Sequence, residues 1–519
     1  MSPTSSRSDP RRGLDRRLFL TRLTAAGAGL MGVSACRRWV RPRFGANPFT
    51  LGVASGDPTA NGVVLWTRLA LDPMQGGGLP AEQVEVLWEV AADERFSRVL
   101  RSGMAAAAPE LGHSVHVEVD GLDPDRWYWY RFRAGGEESA VGRTRTVPLG
   151  RPDRFRFAFV SCQHFEQGLY TAYEHLADED LSLVVHLGDY IYETAARDAQ
   201  VRRHASDEIE SLDDYRNRYA QYRLDPLLQR AHARFPWVVT WDDHEVDNNY
   251  AGPFAQDSTP EAQFLERRAH AYQAYYEVMP LRRTTLPRGP DMHLFRRVDV
   301  GTLATFYVLD TRQYRTDQPC GDGVKPACDG VFDPDARMLG QEQERWLFRE
   351  LDRSPAHWNI LAQQVPLVTM ERGDPESPKY SMDKWGAYAV PQWRVTRRLA
   401  DGVSNPVVLT GDVHTNWVGD VRTSYEDPDA PTVATELIGT SISSGGDGGD
   451  YPETRAAIMS RQPHIRYFNA ERGYVRCDLS GDRWTADFRT VPYVSRPGAP
   501  IVTRASFVVA SGRPGAVRA

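Results

Sequence analysis

The chain has 519 residues, 41% of them apolar and 25% charged, with a formal net charge of −7. That length allows more than one domain around large cores, and the balance excludes a chain disordered throughout. The acidic excess leaves no broad basic face, so no stable nucleic-acid partner is expected.

Near the start, Arg16-Arg17-Leu18-Phe19-Leu20 precedes the Ala/Gly-rich run LTAAGAGLMGVSAC. The run is too short and too small-residued for a membrane span, and the pattern is that of a twin-arginine export signal. Residues 1–45 are therefore expected to be a signal and disordered linker, read by the twin-arginine export machinery. The mature chain is expected to carry no transmembrane segment and to reside in the periplasm or outside the cell. Val33-Ser34-Ala35-Cys36 is similar to a lipobox, which makes Cys36 a candidate lipid anchor; the competing reading is an ordinary cleavage site nearby. Of the other cysteines, Cys320 and Cys328 flank the loop GDGVKPA and are expected to pair in an oxidising compartment. Cys162 and Cys477 have no obvious partner, and Cys477 alternates like a core strand residue.

Residues 46–148 read as short alternating strands: GVVLWTRL, VEVLWEVA, SVHVEV and WYWYRFRA. The piece GLDPDRWYWYRF places Leu122, Pro124, Tyr128 and Tyr130 as at the corner of an immunoglobulin-like or fibronectin-like β-sandwich. This region is expected to pack on the rest of the chain and carry no chemistry. After the link VPLGRPDR, residues 149–519 change grammar. The apolar runs FRFAFVS, SLVVHLGD, WVVTWDD, ATFYVLD, WNILAQQ and NPVVLTGD are separated by helical segments such as PEAQFLERRAHAYQAYYEVMP and GQEQERWLFREL. Strands interleaved with helices imply a layered α/β or α+β core, with YVRCDLS and RWTADFRTV as a late antiparallel hairpin.

Several apolar runs end in ligand-type residues. FAFVSCQ delivers Cys162, VVHLGDYIYE delivers Asp189 and Tyr192, VVTWDDHE delivers Asp242, Asp243 and His244, and VVLTGDVHTNW delivers Asp412 and His414. The carboxyl ends of strands in layered α/β sheets meet at one edge, so residues far apart in sequence converge there. So many carboxylates at the mouth of a core repel one another and resist desolvation. A shared metal site compensates them.

The order GD-x-x-Y, then D-H-E, then GD-V-H resembles the calcineurin-like metallophosphoesterases. The signatures SCQ, HLGDYIYE, WDDHEVDNNY, DTRQYR and GDVHTNW, with the preceding sandwich, resemble more narrowly the PhoD-type alkaline phosphatase and phosphodiesterase family. The resemblance implies an α+β chain in which the sandwich is followed by a layered α/β/β/α catalytic domain. It also implies hydrolysis of phosphate mono- and diesters at a centre of Fe3+ with one or two Ca2+ ions. Asp189 is the natural bridging carboxylate between two metals about 3.5–4 Å apart. Tyr192 would ligate through phenolate oxygen, which suits ferric iron, and Cys162 through thiolate; His414 completes the iron set in the family. Asp189, Asp243 and Asp412 are oxygen donors suited to calcium, and Asn248 would hold part of a second calcium.

His244 follows a ligand where the superfamily places a substrate-facing histidine, for phosphate contact or leaving-group protonation; orienting Asp242 or Glu245 is the alternative. Arg268 is a candidate phosphate clamp, with Arg267 competing. Asp310 and Arg312 are expected as a supporting ion pair, Trp385 and Tyr388 as pocket lining, and SISSGGDGGDYPE as a mobile cover. Three rivals stand beside this reading. One is a phospholipase D-like or teichoic or nucleic acid-directed phosphodiesterase on the same site. The others are a thiol hydrolase using Cys162, and a metal-stabilised binding protein without turnover.

Overall fold

The computed structural model describes residues 43–374, 376–427 and 429–519. The twin-arginine segment and Cys36 lie outside the described residues. The architecture is mixed α/β and dominated by sheets. A ten-stranded sheet has at its centre the parallel strands Arg154–Val160, Leu183–Leu187 and Pro236–Thr240. A seven-stranded sheet has the parallel strands Ala304–Val308, Trp358–Ala362, Pro406–Thr410 and Thr432–Ile438.

These strands form because their residues are almost all apolar and are wanted on both faces. In RFRFAFV, Phe155, Phe157 and Phe159 face a core shared with Val298, Phe306, Ile360 and Val407 of the other sheet. The intervening Ala158 and Val160 enter a second core with Tyr173, Tyr219, Tyr272 and Tyr275. Side chains of the helices Thr171–Leu176, Leu212–Arg223 and Glu261–Val278 belong to that second core. Helices Gly340–Asp352 and Ala389–Ala400 pack in a third, with Tyr307, Leu361 and Val408 of the seven-stranded sheet. Burial on both sides fixes which loops the strands can present at their carboxyl ends.

The hairpin expected at the C-terminal side is present, with Arg472–Ser480 antiparallel to Arg483–Val491. It extends the large sheet beside Arg154–Val160, and the strands Val502–Ala510 and Arg513–Arg518 continue that edge. The N-terminal strands divide between two sheets. Val84–Ala91, Val99–Ala107, Trp127–Ala134, Glu137–Glu138 and Gly142–Arg145 form one sheet of their own. Val53–Gly56, Gly62–Arg68 and Ser114–Asp120 instead join the ten-stranded sheet, where Ser55 and Gly56 pair in parallel with Pro236 and Trp237. The two groups enclose a core containing Val63, Leu65, Val86, Val117, Tyr128, Tyr130 and Phe132. The Tyr128 hydroxyl accepts from the Asp123 backbone N–H at 2.8 Å, tying the corner of that region.

Candidate metal centre

The residues expected to be ligands follow the strand ends on turns of unusual backbone. Cys162, Asp189, Asp412 and His414 have φ of 59°, 58°, 65° and 55°. Such left-handed conformations cost a residue with a Cβ free energy, and persist where surrounding contacts over-determine them. Gly188, just before Asp189, has φ of 109°, and a Cβ there would lie 2.4 Å from Asp242 Cβ. Only glycine lets the Asp189 and Asp242 turns approach so closely. Glu245 then binds the two turns together. Its carboxylate accepts from the backbone N–H of Asp189 at 3.0 Å, Tyr190 at 2.6 Å and Asp242 at 2.8 Å.

Among the described residues three overlapping groups of donor atoms result, each with its atoms within 4.8 Å of one another: Cys162, Asp189 and His414; Asp189, Asp243 and His244; and Asp242, Asp243 and Asp412. Asp189 belongs to two of them. Its Oδ2 accepts from the Tyr192 hydroxyl at 2.8 Å, and that hydroxyl lies 3.2 Å from His414 Nε2. The Ser444 hydroxyl, 2.7 Å from the Tyr192 oxygen, closes the group from behind. Cys162, Asp189, Tyr192, Asp242 and Asp243 are buried, whereas Asp412, His414 and His244 are half-buried.

The electrostatics fit a cation. Asp189 Oδ1 and Asp243 Oδ1 are buried without a hydrogen-bond partner, a costly state for an acceptor, although Arg312 Nη2 lies 3.3 Å from the second. Burial pushes the Asp242 and Asp243 carboxyls up, because several acids share one dry site. Burial also lifts the Cys162 thiol and the Tyr192 phenol, with Asp189 adding to both. For Asp189, burial pushes upward, but His244, His414 and the Tyr192 hydroxyl hold it below the usual carboxylate range. Soft sulfur, imidazole and phenol on one side, and carboxylates alone on the other, make an asymmetric donor set.

His244 has its Nδ1 2.7 Å from Glu193 Oε2. Burial opposes charge on this imidazole, yet Glu193, Asp243 and Asp189 together hold it protonated well above its ordinary range. The Glu193 contact sets the ring's orientation, which places a proton donor beside the acidic cluster.

Sequence models for the PhoD-like phosphatases match residues 157–488, and models for their N-terminal domain match residues 34–148. This chain belongs to the PhoD-like phosphatase family. Alkaline phosphatase D of Bacillus subtilis (strain 168) is 50% identical to it over 508 residues, covering 95% of this chain and 87% of that protein. The solved structure of PhoD superposes with a TM-score of 0.89 at 51% identity, over 92% of this chain and 93% of that one. Purple acid phosphatase 23 of Arabidopsis thaliana is 34% identical over 84 residues, which is 15% of this chain and 18% of that protein.

This PhoD-like chain does not bring every expected residue to the cluster. The Arg268 guanidinium donates to the Gly252 carbonyl at 2.7 Å and lies 3.5 Å from Asp291, so its charge is engaged away from the acids. Arg267 is held by Asp247, Glu208 and the Tyr215 hydroxyl. Arg312 instead stands among the acids. Its guanidinium contacts Asp242, lies 2.7 Å from Asp383 and 3.3 Å from Asp243, and its side chain is fully buried. Asp310 accepts from the backbone N–H groups of Arg312 and Gln313 and from the Gln313 amide, so the expected Asp310–Arg312 ion pair is replaced by pairs to Asp242 and Asp383. DTRQYR gave a supporting arginine, but its partners come from other loops. Lys384 was legible only as a charge in DKWGAY; its ammonium lies 2.5 Å from the Asp412 carboxylate and 2.9 Å from Asp383.

Other expectations also shift. Trp385 and Tyr388 are core residues, with the indole N–H donated to Gln363 and the hydroxyl to the Thr316 carbonyl. The Gly-rich loop begins pinned: Ser444 is buried, and its backbone N–H and hydroxyl both donate to the Cys162 carbonyl. Asn248 has its amide donated to Gln256 at 2.6 Å, and its backbone N–H to Glu193.

The neighbouring Asn249 carries an unforeseen support. Its backbone N–H donates to Asp243 Oδ2 at 2.7 Å, and its amide donates to both oxygens of Asp322 at 3.0 and 3.1 Å. Asp322 lies in the loop closed by the Cys320–Cys328 disulfide. That loop thereby holds the turn that aims Asp243. Asp322→Ala is expected to weaken divalent-cation affinity about tenfold with little change in thermal midpoint, measured by calorimetric titration of metal-free protein. An unchanged affinity would remove this loop from the account.

Proposed function

We propose that this chain is an exported alkaline phosphatase with phosphodiesterase activity, which hydrolyses phosphate mono- and diesters at an iron–calcium centre. Its class, a phosphoric ester hydrolase, follows from membership of the PhoD-like phosphatase family. The reading takes Cys162, Asp189, Tyr192 and His414 to hold Fe3+, with Asp189, Asp243 and Asp412 holding Ca2+ and Asn248 part of a second. Its single strongest support is the convergence of a thiol, an imidazole and a phenol on one oxygen-rich cluster through the shared Asp189. Such a pair of ions, when bound, supplies charge neutralisation and an activated water for attack on phosphorus.

The protein's own residues supply the rest. Glu193 orients His244 to give a proton to the departing oxygen. Arg312 and Lys384 keep Asp242, Asp243, Asp383 and Asp412 in place before substrate arrives. Glu245 keeps the Asp189 and Asp242 turns in register. We read residues 46–148 as an immunoglobulin-like sandwich, supported by the enclosed apolar core and the Tyr128 corner, and residues 149–519 as an α/β/β/α catalytic domain. Export by the twin-arginine route is part of the proposal, with Cys36 a candidate lipid anchor beside ordinary cleavage of the signal. No helix among the described residues is long and apolar enough to cross a membrane.

The deciding experiment pairs elemental analysis with turnover of a chromogenic phosphate ester, before and after chelation. Wild-type protein should contain iron and calcium and lose activity with them. Cys162→Ala should lose iron and turnover while retaining its far-UV circular dichroism, because alanine and cysteine face the same backbone requirement at φ 59°. Full turnover without iron would end the iron assignment.

A further inference from the structure

Three cationic side chains other than histidine stand among the cluster's acids, and they are not equivalent. Arg312 is fully buried; its Nε and Nη1 are bonded to Asp242 and Asp383, and its Nη2, which lies 3.3 Å from Asp243, has no hydrogen-bond partner and no access to solvent. Arg315 is also fully buried and is taken by Asp383 and the Asn249 carbonyl. Lys384 alone of the three reaches solvent, with 19% of its side chain exposed. Its hydrogen bonds to Asp383 and Asp412 use two of its three N–H groups, leaving one without a partner among the described residues.

Across the cluster, His244 is placed in the same way. Its Nδ1 is held by Glu193, its Nε2 has no hydrogen-bond partner among the described residues, and 15% of its side chain is exposed. Asp243 shares one group of donor atoms with His244 and another with Asp412, the carboxylate that Lys384 contacts. Arg268, the cation that the sequence favoured for contact with phosphate, is occupied elsewhere. Of these cations, Lys384 is the one whose side chain is partly exposed and whose ammonium keeps one N–H without a partner among the described residues.

We infer that Lys384 meets the substrate's phosphoryl oxygens and biases the site toward dianionic monoester groups; this rests on the phosphate-ester reading above. A terminal phosphoryl group carries roughly one more negative charge than a diester, so one further ammonium at contact distance favours it through a charge-assisted hydrogen bond. A second consequence concerns the metal. Because Asp383 shares the ammonium, removing the lysine side chain leaves Asp412 free of its hydrogen bond but does not remove a donor from the cluster.

The test compares metal-loaded wild type, Lys384→Met and Lys384→Arg. Inorganic phosphate is titrated calorimetrically, metal content is measured, and kcat/KM is determined for p-nitrophenyl phosphate and bis-p-nitrophenyl phosphate. Lys384→Met is expected to keep the wild-type metal content and to bind inorganic phosphate about tenfold more weakly. Its monoester-to-diester ratio of kcat/KM should fall by about the same factor, and Lys384→Arg should recover most of both. Equal losses for the two esters with unchanged phosphate affinity would overturn the inference. So would loss of metal from Lys384→Met, since the lysine would then only hold Asp412. Wild-type protein that turns over neither ester, or that ignores chelation, would instead overturn the reading on which the inference rests.

Discussion

Asp189→Asn is expected to lower turnover of phosphate esters by about 10³-fold or more while leaving the fold intact. Asp189 is the one carboxylate shared by the sulfur-containing group and the Asp243–His244 group, so its charge acts on both sides of the centre. Asparagine is nearly isosteric and adopts left-handed φ readily, so the 58° backbone at this position adds no new strain. The variant keeps the backbone N–H that donates to Glu245. What it loses is negative charge at an oxygen that has no hydrogen-bond partner, the atom best placed to meet a cation. Steady-state kinetics with metal analysis checks the result. A variant retaining a tenth of wild-type activity with full metal content would mean that Asp189 does not bridge the two groups.

Arg312→Met is expected to destabilise the metal-free protein by about 3–5 kcal/mol, the usual cost of stripping one partner from a buried ion cluster. The guanidinium has no solvent exposure and touches Asp242 and Asp383, with Asp243 and Asp412 at 3.3 and 3.5 Å. Burial disfavours charge on Arg312, yet Asp242, Asp243 and Asp383 hold it ionised well above its ordinary range. Asp383 is the mirror case: burial pushes its carboxyl up, but Arg312, Arg315 and Lys384 hold it well below the usual range. A group depressed in the folded state contributes stability above its unfolded pKa and loses it as pH falls through the folded value. The Arg312–Asp383 contribution should therefore persist down through the ordinary carboxylate range and fade only in stronger acid. Methionine fills similar volume, so the loss measured by urea unfolding reports charge more than packing. Adding Asp383→Asn to Arg312→Met should recover part of the loss; full additivity of the two would show that they do not interact.

Much of the site is legible in the sequence, for a local reason. A strand buried on both faces must be apolar, and the residue that follows it must turn, so FAFVSC, VVHLGD, VVTWDD and VVLTGD each mark a strand end next to a polar side chain. The parallel centre of the large sheet and the late hairpin follow from the same patterns. Less was readable where strands are short, polar at their ends or paired with distant partners. Asn416 and Trp417 close the motif VVLTGDVHTNW, and the strand Asn416–Arg422 that starts there is fixed in the seven-stranded sheet by pairing with Thr432–Ile438 and Ile465–Asn469. Likewise, nothing in GVASGD announces that Ser55 would pair with Pro236.

The cations show where local information stops. Arg268 and Arg312 are both arginines beside a plausible motif, and one-dimensional spacing ranks the helical one higher. Only folding decides that the first turns to Gly252 and Asp291 while the second enters the acids. Lys384 and Asp322 are ordinary charges in their own segments, and acquire a role because the loops that carry them come to lie against Asp412 and Asn249. The sequence by itself therefore determined the family, the order of the strands that end in ligand-type residues and the chemical types of those residues, since each depends on residues adjacent in the chain. The tertiary structure alone decided which charges compensate which, because electrostatic partnership depends on distance through space and on shared burial.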